Sequence, residues 1–229
     1  MKNIQNKIFV FDVDSTLVKT ETLDDIIGIA IDEMFTKRRD ILKQKIHEIM
    51  NQGMNGEIDF RESLEKRFEV VQVLQKHIDF YNKEILPKYI DYNFKEIIEY
   101  IQGKDGVVYV MSAGFIDSID VVAKKLGVFK KYCFANEFIK KSEKIIGFNK
   151  NNPLSQSDGK IIITKKIKNE YPTKEIICIG DGNSDYLIKK EGVANEFWGF
   201  WQNVHRKHLA QKANKNFHTS KSLLKFIKD

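Results

Sequence analysis

The chain holds only two cysteines, Cys133 and Cys178, in apolar surroundings and without metal-ligand spacing. That excludes a disulfide framework or a thiolate metal site and leaves two reduced, cytosolic core thiols. No apolar stretch approaches the roughly 18 residues a membrane span needs. The N-terminus, MKNIQNKIFVFDVD, lacks a secretory core with a small-residue cleavage site, because its apolar run leads straight into acids. There is no basic block either: the net charge of +6 comes from lysines dispersed among acids, with no aromatic–basic interleaving. A solvated surface explains that pattern better than a nucleic-acid stripe, and a weakly positive field suits a small anionic substrate. Internal repeats and low-complexity linkers are absent as well.

What remains is an ordinary globular composition, 42% hydrophobic and 31% charged over 229 residues, enough for a large domain or a domain carrying a smaller one. Short apolar runs at 7–11, 107–111, 132–135, 176–179 and 196–200 read as strands. Helical patterns at 115–126, 160–170, 184–191, 203–213 and 219–228 alternate with them. Continuous apolar strands separated by helices predict an α/β fold: a Rossmann-like, mostly parallel sheet with helices on both faces. The first interval breaks this rhythm, since about 95 residues lie between the first two strands while a crossover needs about a dozen. Helical patterns at 22–35, 37–51, 60–78, 79–85 and 92–102 fill it. The last serves as the crossover, leaving an inserted helical domain at 20–86 with Pro87 at its exit, and a core at 1–19 and 87–229. Residues 136–149 read as a β-hairpin turned over Lys140–Lys144.

In open α/β sheets ligands sit beyond the carboxyl ends of the strands. Asp12 and Asp14 follow the first strand, Ser112 the second, and Asp181 with Asp185 the fourth. Asp12 and Asp14, two apart, leave a strand end on one face. Each Asp alone reads as a cap or turn residue. Together they are too acidic to stand without a counter-ion, and oxygen-only ligands that leave room for phosphate suit Mg²⁺. In the helix starting near Asp59, Asp59 and Glu62 form a capping pair, and Phe60, Leu64, Phe68 and Val71 form an apolar stripe. Arg67 falls within that stripe, about 20° off the line of Phe60. It either snorkels, pairs with Glu65 or Glu69, or meets an anionic ligand.

The blocks DVDSTLV, SAGF and GDGNSD resemble the signatures of the haloacid-dehalogenase-like phosphatases. Glu21 followed by Thr22, MNGEIDFRESLEKRF at 54–68 and the tail GFWQNVHRKHLAQKAN narrow the likeness to the phosphoserine phosphatases, over residues 7 to 214. The resemblance implies that the helical insert is a cap. It also implies Mg²⁺-dependent hydrolysis of O-phosphoserine, the last step of serine biosynthesis, in a cytoplasmic enzyme with no nucleic-acid or membrane partner. Asp12 would be the nucleophile that forms an aspartyl-phosphate, and Asp14 the general acid and base. The metal would be held by the Asp12 carboxylate, the Asp14 carbonyl and Asp181, with Asp185 orienting metal waters. Ser112 and backbone N–H groups near Ser15 and Ala113 would bind phosphate. Arg67 would take the substrate carboxylate, Glu21 its ammonium, and Met54 and Phe60 would exclude water. Two positions depart mildly from the pattern: Ala113, where the family prefers glycine, and Ser184, where it has Asn or Thr.

The family's phosphate-binding lysine precedes a glycine, whereas here Asp158 precedes Gly159 and Lys160 follows it. Lys160 is the favoured candidate, with Lys165 and Lys144 as alternatives. The rival functions are a phosphatase for another small phosphomonoester, a phosphoaspartyl receiver module, and a catalytically silent module on the same fold.

Overall fold

The computed structural model describes residues 4–34, 36–55 and 57–229, with the side chains of Met54 and Asn55 outside the description. Among the described residues six strands form a parallel sheet in the order β3-β2-β1-β6-β7-β8. These are β1 (Lys7–Phe11), β2 (Val107–Phe115), β3 (Cys133–Asn136), β6 (Glu175–Gly180), β7 (Glu196–Phe200) and β8 (Lys215–Phe217). β4 (Phe138–Lys141) and β5 (Lys144–Phe148) pair antiparallel as the expected hairpin, turned at Ser142, whose φ is 52°.

The strands are apolar without interruption because both faces of the sheet are covered. In β1, Phe9 and Phe11 point into a core shared with α6 (Asn93–Gln102), α7 (Ile116–Lys125) and α11 (Ser220–Lys228). Ile8 and Val10 point the other way, towards α8 (Gly159–Glu170) and α9 (Asn183–Lys190). α6 buries Phe94, Ile97, Ile98 and Ile101, one helical face at 3.6-residue spacing. The α/β class and the helix-covered parallel sheet are as expected from the sequence.

Between β1 and α6 lie α1 (Thr22–Asp32), α2 (Arg39–Asn55), α3 (Phe60–Val70), α4 (Gln75–Phe80), a π-helical turn at Tyr81–Ile85 and α5 (Leu86–Tyr89). The chain leaves and returns side by side: Val18 bridges Ile90, Lys19 donates to the Tyr89 carbonyl, and Asp91 donates to that of Leu17. Pro87 sits in the first turn of α5, where its missing N–H is harmless.

Three local expectations fail. The helix expected over 60–78 breaks at Val71, which is extended. Residues 73–75 instead pair with the hairpin, through the Leu74–Lys144 bridge and bonds from Ile145 to Val73 and from Gln75 to Glu143. The helix expected over 203–213 shrinks to α10 (Lys207–Ala210). It gives way to β8, three residues too short to stand out as a strand. In the Asp59–Glu62 pair, Asp59 does cap, accepting from Arg61 N at 2.8 Å, but Glu62 pairs with Lys66. Among the described residues no helix is long and apolar enough to cross a membrane.

Phe94 is fully buried, with its ring edge-on to Phe11 and Phe200, and so braces β1 just before Asp12. Phe94→Ala would leave a cavity costing about 3–5 kcal/mol. Thermal unfolding should show Tm falling by about 10 °C; a drop under about 3 °C would mean that the site collapses without loss.

Candidate active site

Register delivers the site. Phe11 pairs with Val110 on one side and Ile179 on the other, so both ladders of β1 end at the same level and Asp12, Ser112 and Asp181 lie along one rim. The Asp12 N–H still bonds to the Ile179 carbonyl at 2.9 Å, which fixes its backbone to the sheet. Ser15 then adopts a left-handed φ of 56°, turning the chain so that Thr16 Oγ1 lies 3.4 Å from both Asp12 Oδ2 and Asp181 Oδ1.

Lys160, in the first turn of α8, is buried and donates to Asp12 Oδ1 at 2.5 Å and Asp185 Oδ1 at 2.7 Å. Burial pulls its pKa down, but the two carboxylates outweigh burial and hold it above the ordinary lysine range. The alternatives are elsewhere: Lys165 is exposed on α8, and Lys144 starts β5. Asp185 also accepts from Gly182 N at 3.2 Å. Burial raises its pKa to about 6 despite Lys160.

Asp14 is turned away from this pair. Its Oδ1 accepts from Thr22 N at 2.8 Å, and its Oδ2 accepts from Ser112 Oγ at 3.0 Å. Burial, then the charge of Asp12, pushes its pKa up to about 6. That value suits a group that must first give a proton and later take one. Ser112 Oγ in turn accepts from Gly114 N at 2.8 Å, and the Ala113 carbonyl is held by Asn136.

Asp181 is buried, and burial with Asp12 and Asp185 pushes its pKa up to about 7. Arg206 Nε lies 3.5 Å from its Oδ2, close enough for ionic attraction, yet that oxygen accepts no hydrogen bond. Among the described residues no three His, Cys, Asp or Glu side chains form a ready metal cluster. The donor set expected here has only two carboxylates with a main-chain carbonyl, which leaves further positions to water. A buried carboxylate whose Oδ2 lacks a donor and whose Oδ1 shares Thr16 with Asp12 fits a hard oxygen-seeking cation.

A cavity of about 700 Å³ opens over this rim. It is lined by Asp12, Asp14, Ser112, Ala113, Lys160, Asp181 and Asp185, and also by Glu21, Phe60 and Arg67 from the helical insert. Met54 belongs to α2, but its side chain lies outside the described residues. Glu21 accepts from Ser15 Oγ at 2.8 Å, which makes Ser15 a positioner of Glu21, while the Ser15 N–H donates to the Thr20 carbonyl at 3.1 Å. Burial and then Asp14 push the Glu21 pKa up to about 8.

Arg67 is buried on α3, and its partner is Asp24 of α1, at 2.8 Å from Nη1, rather than Glu65 or Glu69 of its own helix. Periodicity within α3 could not reveal a partner on another helix. Asp24, Thr16 and Arg206 are the site residues that sequence reasoning passed over. For Asp24 a signal existed, since it sits three residues after Glu21, on the same face of α1.

The pattern of the haloacid dehalogenase-like hydrolase family matches residues 9–188. The chain belongs to that family. It is therefore a hydrolase, and the receiver-module alternative falls away. Its sequence is 29% identical over 195 residues to the phosphoserine phosphatase of Methanocaldococcus jannaschii, spanning 84% of this chain and 86% of that one. Its fold is similar to that of a phosphoserine phosphohydrolase-like protein from Francisella tularensis, with a TM-score of 0.85 at 26% identity over 96% and 99% of the two chains. It is also similar to a phosphoserine phosphatase solved as a phospho-aspartyl intermediate analogue, with a TM-score of 0.78 at 25% identity over 97% and 99%.

Because Glu21 titrates near 8 when folded and near 4.5 when not, it favours the fold at low pH. That contribution is lost as pH rises towards 8. In metal- and ligand-free protein, Glu21→Gln should therefore gain Tm relative to wild type between pH 6 and 9, by about 3 °C or more. Parallel Tm–pH curves would show that Glu21 is not held protonated.

Proposed function

We propose that this hydrolase is a phosphoric monoester hydrolase that cleaves O-phosphoserine to serine and phosphate, with residues 20–86 as a cap over a core formed by 1–19 and 87–229. The observation that carries this is one cavity lined at once by Asp12, Ser112 and Lys160 and by Glu21 and Arg67. The first set suits a phosphoryl group, and the second suits a carboxylate and an ammonium.

Asp12 is the nucleophile. Lys160 holds its Oδ1, so the carboxylate is oriented, and Oδ2 attacks phosphorus to form an aspartyl-phosphate while the seryl oxygen leaves. Asp14 protonates that oxygen and then takes a proton from the water that hydrolyses the acyl phosphate. Two of the three Lys160 ammonium protons are taken by Asp12 and Asp185, and the third is available to a phosphate oxygen. The N–H groups near Ser15 and Ala113 would supply further donors, as would the Ser112 hydroxyl on turning its proton from Asp14 to the phosphate. Mg²⁺ bound by Asp12, Asp181 and the Asp14 carbonyl would neutralise phosphate charge, with Asp185 ordering its waters. Arg67 and Glu21 select the zwitterionic end, and Phe60 keeps water out. Buried free thiols at Cys133 and Cys178 agree with a reducing, cytoplasmic setting, in which phosphoserine hydrolysis would complete serine synthesis.

Phosphate release from O-phosphoserine, phosphoethanolamine and p-nitrophenyl phosphate tests this directly. Phosphoserine should exceed phosphoethanolamine, which lacks the carboxylate, at least tenfold in kcat/KM. EDTA should abolish turnover, Mg²⁺ should restore it, and Asp12→Asn should retain under a tenth of it. Indifference to the carboxylate would favour a different small phosphomonoester, and an active Asp12→Asn would remove the nucleophile.

A further inference from the structure

Arg67 reaches the cavity from a buried position and is held there from behind. Its Nη1 donates to Asp24 at 2.8 Å and its Nε to the Ser63 carbonyl at 3.3 Å, one bond to α1 and one to its own helix. Arg67 lines the cavity, whereas Asp24 does not. The two side chains are 8% and 17% exposed, so this pair is far less screened than a surface ion pair. The two bonds use two of the five guanidinium N–H groups. One hydrogen of Nη1 and both of Nη2 remain, which suffices for a two-pronged, end-on grip on a carboxylate.

Neighbouring acids have other duties. Asp25 takes the Thr20 hydroxyl at 2.7 Å, and Glu21 takes Ser15. Asp24 alone among these three engages the arginine.

We propose that Asp24 is a positioning residue that presents Arg67 to the substrate carboxylate and thereby helps set selectivity for phosphorylated amino acids over simple phosphate esters. The proposal rests on the phosphoserine reading above. Without Asp24, a flexible arginine must be ordered when substrate arrives, and that ordering weakens binding. The chemistry occurs at the far set of residues, so the loss falls on KM rather than on kcat.

Asp24→Ala should raise KM for phosphoserine at least tenfold with kcat within threefold, while KM for p-nitrophenyl phosphate stays within twofold. Asp24→Asn keeps an acceptor for Nη1 and should stay within threefold of wild type on phosphoserine. Because Asp24 acts through Arg67, the double variant Asp24→Ala/Arg67→Ala should match Arg67→Ala in KM. That comparison removes both charges and isolates the part of the Asp24 effect that passes through Arg67. Equal KM losses on both substrates, an unchanged KM in Asp24→Ala, or a double variant clearly worse than Arg67→Ala would overturn the positioning role. Wild-type protein that ignores phosphoserine would instead remove the functional reading on which the role depends, an outcome visible before any Asp24 variant is made.

Discussion

A single ammonium group, that of Lys160, lies buried between Asp12 and Asp185, and the rest of the site is arranged around it. Asp12, Asp181 and Asp185 crowd one rim of the sheet, with Asp14 and Glu21 beside them. Burial works against charge on these acids, as the raised pKa values of Asp14, Glu21, Asp181 and Asp185 attest. Lys160 keeps one oxygen of Asp12 ionically paired while leaving the other beside Thr16. Removing one member of such a buried pair typically costs about 3–5 kcal/mol, so the lysine serves the fold as well as the chemistry.

Two glycines permit this approach. A Cβ on Gly159 would fall 2.1 Å from the Pro153 carbonyl, so only glycine lets α8 begin tucked under that loop and deliver Lys160 to the rim. A Cβ on Gly180 would fall 2.3 Å from Asp185 Oδ2, where β6 passes beneath the second carboxylate. Backbone and side chains thus share a space too tight for one extra carbon, and that closeness aligns the carboxylates without freedom to wander.

Much of this was legible in the sequence, for a physical reason. A parallel sheet buried on both faces writes its strands as continuous apolar runs, so IFVF, VVYVM and IICI mark both the strands and the rim where they end. Asp12, Asp14, Ser112 and Asp181 followed directly. Lys160 was harder, because the chain departs from the family order at Asp158–Gly159; the helix start favoured it, and packing against Asp12 distinguishes it from Lys165 and Lys144. Contacts between elements remote in sequence left no trace in local periodicity. The Asp24–Arg67 pair, Arg206 beside Asp181 and the break after Val70 all arise from such contacts. In the last, the hairpin offers residues 73–75 backbone partners that outcompete another helical turn.

In the proposed phosphatase the rim of the sheet would perform phosphoryl transfer and the helical insert would recognise what carries the phosphate. The central claim is covalent: the phosphoryl group passes through Asp12. Single-turnover hydrolysis of phosphoserine followed by rapid quench, with enzyme in excess, separates this from direct attack by water. An aspartyl-phosphate releases serine before phosphate, whereas direct attack by water releases both together and leaves nothing on the protein. Acid quench within the first turnover should therefore also trap phosphate on the peptide containing Asp12, and mass spectrometry should place it on that residue. Complete phosphate release with no protein-bound phosphate at any quench time, or phosphate trapped on another side chain, would contradict the account.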